Sequence, residues 1–543
     1  MRLNFRFLSD HKRSSGSGRS PLKLGAMASQ ISFAALFLPG GLFLLFGLTG
    51  TISLQESLVG ALFGWGIILC ACSLPLLLRW PILKVLGFLG PFYCWYFLRF
   101  DQPLPSQMIA MASTAPRLEI MEFLSLEWPG LMLATGCGLV FSLAQKIPEW
   151  ISKKAMAAAG FGLVSVLVNQ RAFAVYFSSS QSPLLTTALI SQTYPSTFLG
   201  PYLHEKFKER FVAVGATPGQ VTVADGVDIS VLVIGESARA DHWSINGYER
   251  PTTPRISSET IINFPLVRSI GDCTAVTVPA MLTMQGPESR ISINGPVNNQ
   301  PNIADIYKAA GYYTALVTNQ ETSDFGRTGS SFDVVKSIFH SDASGFYGKA
   351  YDIDMLPEIN SILALPVSRK FLIIHLYGSH ISYSERYRDE FKIFSDGIVG
   401  EYDNSIVATD GFLSALINRL KATGARVALT YSSDHGDDFG DSGKMPRWHC
   451  LSPSNKNTLV PLFFWLQGGF PDKMLRNLDE NARSYVSQAG VVPALLDLSG
   501  VHIDSPLMAQ ALTRPQVMRV EQLTLDRAGE IYTCTLAGGC LKN

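Results

Sequence analysis

The sequence predicts an N-terminal helical membrane domain of five transmembrane helices, followed by an α/β domain on a central, mostly parallel sheet. Three observations predict it. The 543 residues are 47% hydrophobic with a mean hydropathy of +0.19, high for a chain that meets only water. The formal net charge of zero hides an asymmetry: residues 1–180 carry 14 Lys and Arg against 7 Asp and Glu, the remainder 30 against 37. From residue 227 onward, short apolar runs alternate with helix-period segments.

The elements follow in order. A basic tail, 1–27, holds Arg2, Arg6, Lys12, Arg13, Arg19 and Lys23. Apolar stretches then fall at 28–49, 57–78, 82–98, 128–145 and 155–177. Each approaches the ~20 residues that cross a hydrocarbon core of about 30 Å. The third is short, and Asn169 and Arg171 interrupt the fifth. The expected turn between the second and third holds Arg79 and Lys84, and the loop between the fourth and fifth holds Lys146, Lys153 and Lys154. The opposite loops hold only Arg99 and Arg117. Basic residues in short loops stay cytoplasmic, so five spans (28–177) from a cytoplasmic tail put everything after about residue 178 outside. A cleaved signal peptide would explain only the first stretch. Residues 99–127 make an external loop along the membrane surface, and 178–226 a polar connector.

Cys70, Cys72, Cys94 and Cys137 lie in apolar stretches, where a free thiol behaves as a small hydrophobe. Cys273, Cys450, Cys534 and Cys540 lie in the external part, where disulfides form. Four cysteines allow three connectivities, which sequence does not choose between. Cys534 and Cys540, across a short Gly-containing loop, are the first pair expected.

In 227–543 the apolar runs are DISVLVIG (228–235), YYTALVT (312–318), KFLIIHLYG (370–378), RVALTYS (426–432) and TLVPLFFWL (458–466). Segments such as 302–311 and 401–424 have helical period. Ligands of such sheets collect beyond the carboxyl ends of the strands, so strand ends carry the candidates. Three ends are unusually polar: Gly235-Glu236-Ser237, His375 to His380, and Asp434-His435-Gly436. Two carboxylates and an imidazole at one sheet edge would suit a zinc ion that keeps one position open. An Asp-His-Gly alone is a weak signal and more often marks a turn with a capping Asp. RSIGDCTAVTVPAML (268–282) offers Thr274 and Thr277, hydroxyls that need a lowered pKa to attack, although either also fits a turn or cap. Asp437 and Asp438 fit solvated loop acids or a second, weaker divalent site.

GESARADHWSINGYERPTTP, DCTAVTVPAML, LYGSHISYSERY, EYDNSIVATD and YSSDHGDDFG together resemble the membrane phosphoethanolamine transferases of the alkaline phosphatase/sulfatase superfamily. The resemblance covers nearly the whole chain. It implies an alkaline-phosphatase-like α/β domain in the periplasm of a Gram-negative cell, anchored in the inner membrane. Glu236, Asp434 and His435 match the family's zinc ligands. Thr274 matches the nucleophile, which also meets the metal and becomes phosphoethanolaminated. His380 and His449 match histidines that contact substrate phosphate or a second metal. His375 belongs either to that group or to the sheet core. The implied donor is phosphatidylethanolamine in the bilayer, and the implied acceptor an envelope glycolipid, lipid A or lipopolysaccharide core. Neither a nucleic-acid partner nor an oligomer is implied; the expectation is a monomer.

Departures from the family pattern are specific. The cysteines that bracket the family's nucleophile are replaced by Ile270 and Ala280. Cys273 precedes Thr274 and Cys450 follows His449, which leaves a bond between those two open. Near Asn319 the family's phosphate-contacting lysine is missing, and Arg327 is the stand-in. In the 99–127 loop only Thr114 is placeable as a headgroup contact, with Glu119 nearby. A sulfatase needs C-x-P-x-R to make its formylglycine; Cys273-Thr-Ala-Val-Thr277 lacks the Pro and Arg. Two rivals share the frame: a phosphoglycerol transferase of the lipoteichoic acid synthase kind, and an inactive membrane scaffold.

Overall fold

The computed structural model describes residues 76–100, 128–140, 218–291, 301–320, 325, 332–339, 350–440, 448–450 and 452–543. They fall in two units. In the first, α1 (Leu76–Phe100) runs unbroken for 25 residues with Pro81 and Pro91 inside it. The expected turn at Arg79 and Lys84 is therefore helix, and the third apolar stretch is part of a longer element. Residues 128–140 form α2. Many large apolar side chains of both helices face outward, among them Val85, Leu98, Met132, Leu133 and Val140. Among the described residues no helix is long and apolar enough to cross a membrane. The stretches at 28–49 and 155–177, most of 57–78, the basic tail, and the candidates Thr114, Glu119 and Arg327 lie outside the described residues.

The second unit is an α/β domain on an eight-stranded sheet, ordered β5-β4-β6-β2-β7-β8-β3-β9. In chain order its strands are β2 (Ile229–Gly235), β3 (Ile261–Arg268), β4 (Tyr313–Thr318), β5 (Val334–Ser337), β6 (Lys370–His375), β7 (Val427–Ser433), β8 (Leu459–Gln467) and β9 (Val486–Ser487). All pairings are parallel except those that β8 makes with β7 and β3. Every residue of β2, β6 and β7 is buried, so both sheet faces are covered there. That is why these strands read as continuous apolar runs rather than alternating ones. All five expected runs are strands.

The folded unit reaches back into the expected connector. β1 (Val221–Val223) pairs antiparallel with β10 (Val501–Ile503). At the carboxyl end, β11 (Glu521–Leu525), β12 (Ile531–Thr535) and β13 (Gly539–Lys542) form a small antiparallel sheet, and Cys534–Cys540 staples its second hairpin.

Two motif segments hold the frame together. Asp403, buried on α6 (Gly397–Ala422), accepts from Tyr248 Oη at 2.9 Å and from the Arg250 guanidinium at 2.9 Å, and it pairs with His242 Nδ1 at 2.6 Å. Asp410, about two turns further along the same face, accepts from the Ile256 and Arg255 amides. GESARADHWSINGYERP and EYDNSIVATD thus meet as a clasp that fixes the loop after β2.

Candidate active site

Central strands deliver the site side by side. β2 and β7 are hydrogen-bonded neighbours in register Gly235↔Ser433, so their next residues, Glu236 and Asp434-His435, emerge together. The third component arrives from the start of α3 (Thr274–Leu282), whose first residue is Thr274. Thr274 Oγ1 lies 3.1 Å from Glu236 Oε2 and 3.0 Å from His435 Nε2. His435 Nε2 is 3.4 Å from both Glu236 Oε1 and Asp434 Oδ2. One ligand atom from each of Glu236, Asp434 and His435 lies within 4.8 Å of the others.

The donor set fits a cation. All three groups are fully buried. Asp434 Oδ1 accepts from the Ser237 and His435 amides, while buried Oδ2 has no hydrogen-bond partner among the described residues. Burial, with the Glu236 carboxylate beside it, pushes the Asp434 carboxyl well above the ordinary range. Two carboxylates packed this way without a counter-charge are strongly unfavourable. His435 Nδ1 faces the Gly436 carbonyl at 2.8 Å, which sets the tautomer and leaves the Nε2 lone pair toward the cluster. Gly436 is required here: a Cβ would stand 2.5 Å from the Lys456 carbonyl oxygen.

Two further histidines cover the cluster. His449 stacks on His435 with ring centroids 4.6 Å apart, and His380 lies edge-on to His449 at 5.4 Å. His380 Nδ1 is taken by the Ile381 carbonyl at 2.7 Å, and His449 Nδ1 by Asp437 Oδ1 at 3.3 Å. In both rings Nε2 is the end left for a ligand. Burial lowers His380 to about 4. Burial also disfavours charge on His449, but the Asp437 carboxylate outweighs it and raises the ring to about 9.

Other candidates are placed differently. His375 ends β6, is 1% exposed, and lies against Phe325 with neither ring nitrogen hydrogen-bonded among the described residues. Asn319 is turned away from Thr274: its amide donates to Asp352 Oδ1 and the Ala350 carbonyl, linking β4 to the segment before α5 (Leu356–Leu363). Its neighbour Gln320 reaches the cluster instead, donating to Glu236 Oε2 at 3.0 Å and to the Leu376 carbonyl at 2.6 Å. Gln320 also follows a strand, so the strand-end rule applied to β4 would have flagged it. Ser237 Oγ donates to Glu236 Oε1 at 2.6 Å. Asp437 is fully buried rather than solvated, accepting from Tyr383 Oη at 2.6 Å as well as facing His449. The open bond is present: Cys273 and Cys450 form a disulfide.

Comparison with known proteins finds relatives of this chain. The family model described as Sulfatase matches residues 229–501. The phosphatidylethanolamine transferase Mcr-1 of Escherichia coli is 27% identical over 303 residues, 50% of this chain and 54% of that protein. The chain thus spans about half the length of the curated relatives it matches. The integral membrane lipooligosaccharide phosphoethanolamine transferase A (EptA) of Neisseria meningitidis superposes with a TM-score of 0.61 at 20% identity, over 91% of this chain and 99% of that one. The zinc complex of the C-terminal periplasmic domain of EcEptC from Escherichia coli superposes at 0.52 with 22% identity, over 61% and 96%. At these identities the two structures speak for the fold alone.

Proposed function

This chain belongs to the sulfatase family, and on that premise we propose that it is a zinc-dependent phosphoethanolamine transferase of the Gram-negative inner membrane. It moves the headgroup of phosphatidylethanolamine to an envelope glycolipid, lipid A or lipopolysaccharide core, on the periplasmic side. The observation that carries this reading is the Thr274 hydroxyl within 3.1 Å of both Glu236 and His435 at the start of a helix. Sulfate-ester chemistry through formylglycine does not fit, since Cys273 is committed to a disulfide. The reading includes five membrane spans over 28–177, and the outward apolar side chains of α1 and α2 support a chain held close to its lipid donor.

Glu236, Asp434 and His435 would hold the zinc, with Thr274 facing it. When bound, the ion supplies positive charge that makes a hydroxyl acidic and offsets charge on phosphoryl oxygens. Thr274 Oγ1 gives up its proton to solvent beforehand and then forms the new bond to phosphorus as the bond to the diacylglycerol oxygen breaks, with the two oxygens roughly in line. The dipole of α3 favours the anionic ester left on Thr274. Nε2 of His449 hands a proton to the departing glycerol oxygen. The same nitrogen then takes the proton of the acceptor hydroxyl as that oxygen attacks phosphorus and frees Thr274. Gln320 and Ser237 steady the Glu236 carboxylate throughout.

The test is mass spectrometry of envelope glycolipids from cells with and without the gene, together with Thr274→Ala. A phosphoethanolamine increment that needs the gene and Thr274 is expected, with diacylglycerol released from phosphatidylethanolamine. Release from phosphatidylglycerol would point to a phosphoglycerol transferase, and no transfer at all to a scaffold; either sinks the reading.

A further inference from the structure

We propose that the Cys273–Cys450 disulfide is a positioning tether that holds the His449 ring in its stack on His435, the residue that meets the Thr274 hydroxyl. The proposal rests on the roles given above to Thr274 and His449. Cys273 is the residue that caps α3 and precedes Thr274; Cys450 follows His449; the bond therefore joins the two sides of the site across 177 positions of sequence. The residues flanking His449 are both in left-handed backbone, Trp448 at φ +50° and Cys450 at φ +59°. For residues with a Cβ such a conformation is strained and persists only where the surroundings impose it.

The surroundings do impose it. The Trp448 amide donates to the Asp438 carbonyl at 2.7 Å, and the Trp448 carbonyl accepts from Asn457 Nδ2 at 3.0 Å. On the other side, the Cys450 amide donates to the Asp272 carbonyl at 2.7 Å, and the Asp272 amide to the Leu525 carbonyl of β11 at 3.1 Å. One backbone hydrogen bond is a weak hold on a strained residue, and the covalent bond makes that hold permanent. With it cut, Cys450 can relax to right-handed or extended backbone, and the ring of His449 leaves its stack on His435. The zinc ligands follow β2 and β7, whose hydrogen-bonded register does not depend on the tether.

The experiment uses the zinc-loaded full chain in lipid nanodiscs. Cys273→Ser/Cys450→Ser is compared with Cys534→Ser/Cys540→Ser, which removes the staple of the β12–β13 hairpin. Three readouts are taken: transfer kinetics, zinc content, and the rate at which diethyl pyrocarbonate modifies His449, read by peptide mass spectrometry. The first double variant is expected to lose on the order of 100-fold in kcat, as a misplaced group does, with KM for the donor lipid and zinc content unchanged. His449 modification is expected to accelerate, and the control variant to behave as wild type. Dithiothreitol, which becomes a cyclic disulfide as the protein bond becomes two thiols, should reproduce the loss in wild type. Oxidised glutathione should restore it. That arm decides the matter if the double variant does not fold. Wild-type kcat and His449 reactivity with both thiols free overturn the tether. A chain inactive in every arm sinks the transferase reading, while the His449 modification rate still judges the tether.

Discussion

Asp437 shows how one carboxylate shapes the site without touching its centre. Two residues beyond His435, it is fully buried between Tyr383 Oη and His449 Nδ1. A carboxylate there holds the Nδ1 proton and points Nε2 at substrate, the arrangement that orients functional histidines elsewhere. Asp437→Asn keeps the volume and removes the charge. It should lower kcat by about 10- to 100-fold, as loss of a histidine's carboxylate partner does, and leave zinc content unchanged; an unaltered kcat would show that His449 needs no such partner. Glu236→Gln, by contrast, should abolish zinc retention, because a neutral amide replaces one of two buried anionic donors; metal analysis after dialysis checks this.

At the scale of elements, adjacent strand ends do what no single loop could. Glu236 is held from the β6 side by the turn at Gly378, which has φ +49°. A Cβ there would stand 2.7 Å from the Glu236 carbonyl oxygen and 3.0 Å from its amide nitrogen. Gly378→Ala should therefore destabilise the domain by more than about 1 kcal/mol and weaken zinc binding together, read as a lower urea midpoint and lower zinc occupancy. A variant with normal stability and full occupancy would mean that the β6 turn does not set Glu236. Asn319 belongs to this scale too: its amide joins β4 to the 350–352 segment, and the adjacent Gln320 faces the cluster. Strand-end logic finds the neighbourhood, but which of two consecutive amides enters the site depends on the twist of the last residue.

For the whole molecule, buried titratable groups tie stability to pH and metal. Burial lowers His375 to about 4, from an ordinary value of 6.5. Its folded pKa lies below the unfolded one, so the contribution is complete above about pH 6.5 and is lost as pH falls toward 4. The loss approaches about 3 kcal/mol once the pH is below 4. His375→Leu should then be at least as stable as wild type at pH 7 and clearly more stable near pH 4.5, in urea titrations at both. Equal pH dependence of the two proteins would remove His375 from this account. Chelation should lower Tm, because Glu236 and Asp434 lose their counter-charge and the folded state loses a ligand; at a hundredfold excess of metal over Kd the linkage is about 2.7 kcal/mol.

What the sequence determined by itself is what neighbours along the chain can encode. Apolar runs long enough to be buried on both faces named the strands, and the polar residues ending them named Glu236, Asp434 and His435. The partition of charge marked two regions, and the folded chain divides into two units. Tertiary structure alone decided the rest: Asp437 as a buried partner of His449 rather than a solvated acid, Gln320 rather than Asn319 at the cluster, and Cys273 joined to Cys450. Each of these depends on groups tens to hundreds of positions apart being brought within a few ångströms. Periodicity reports which side of an element is buried; only the packed sheet reports what lies opposite.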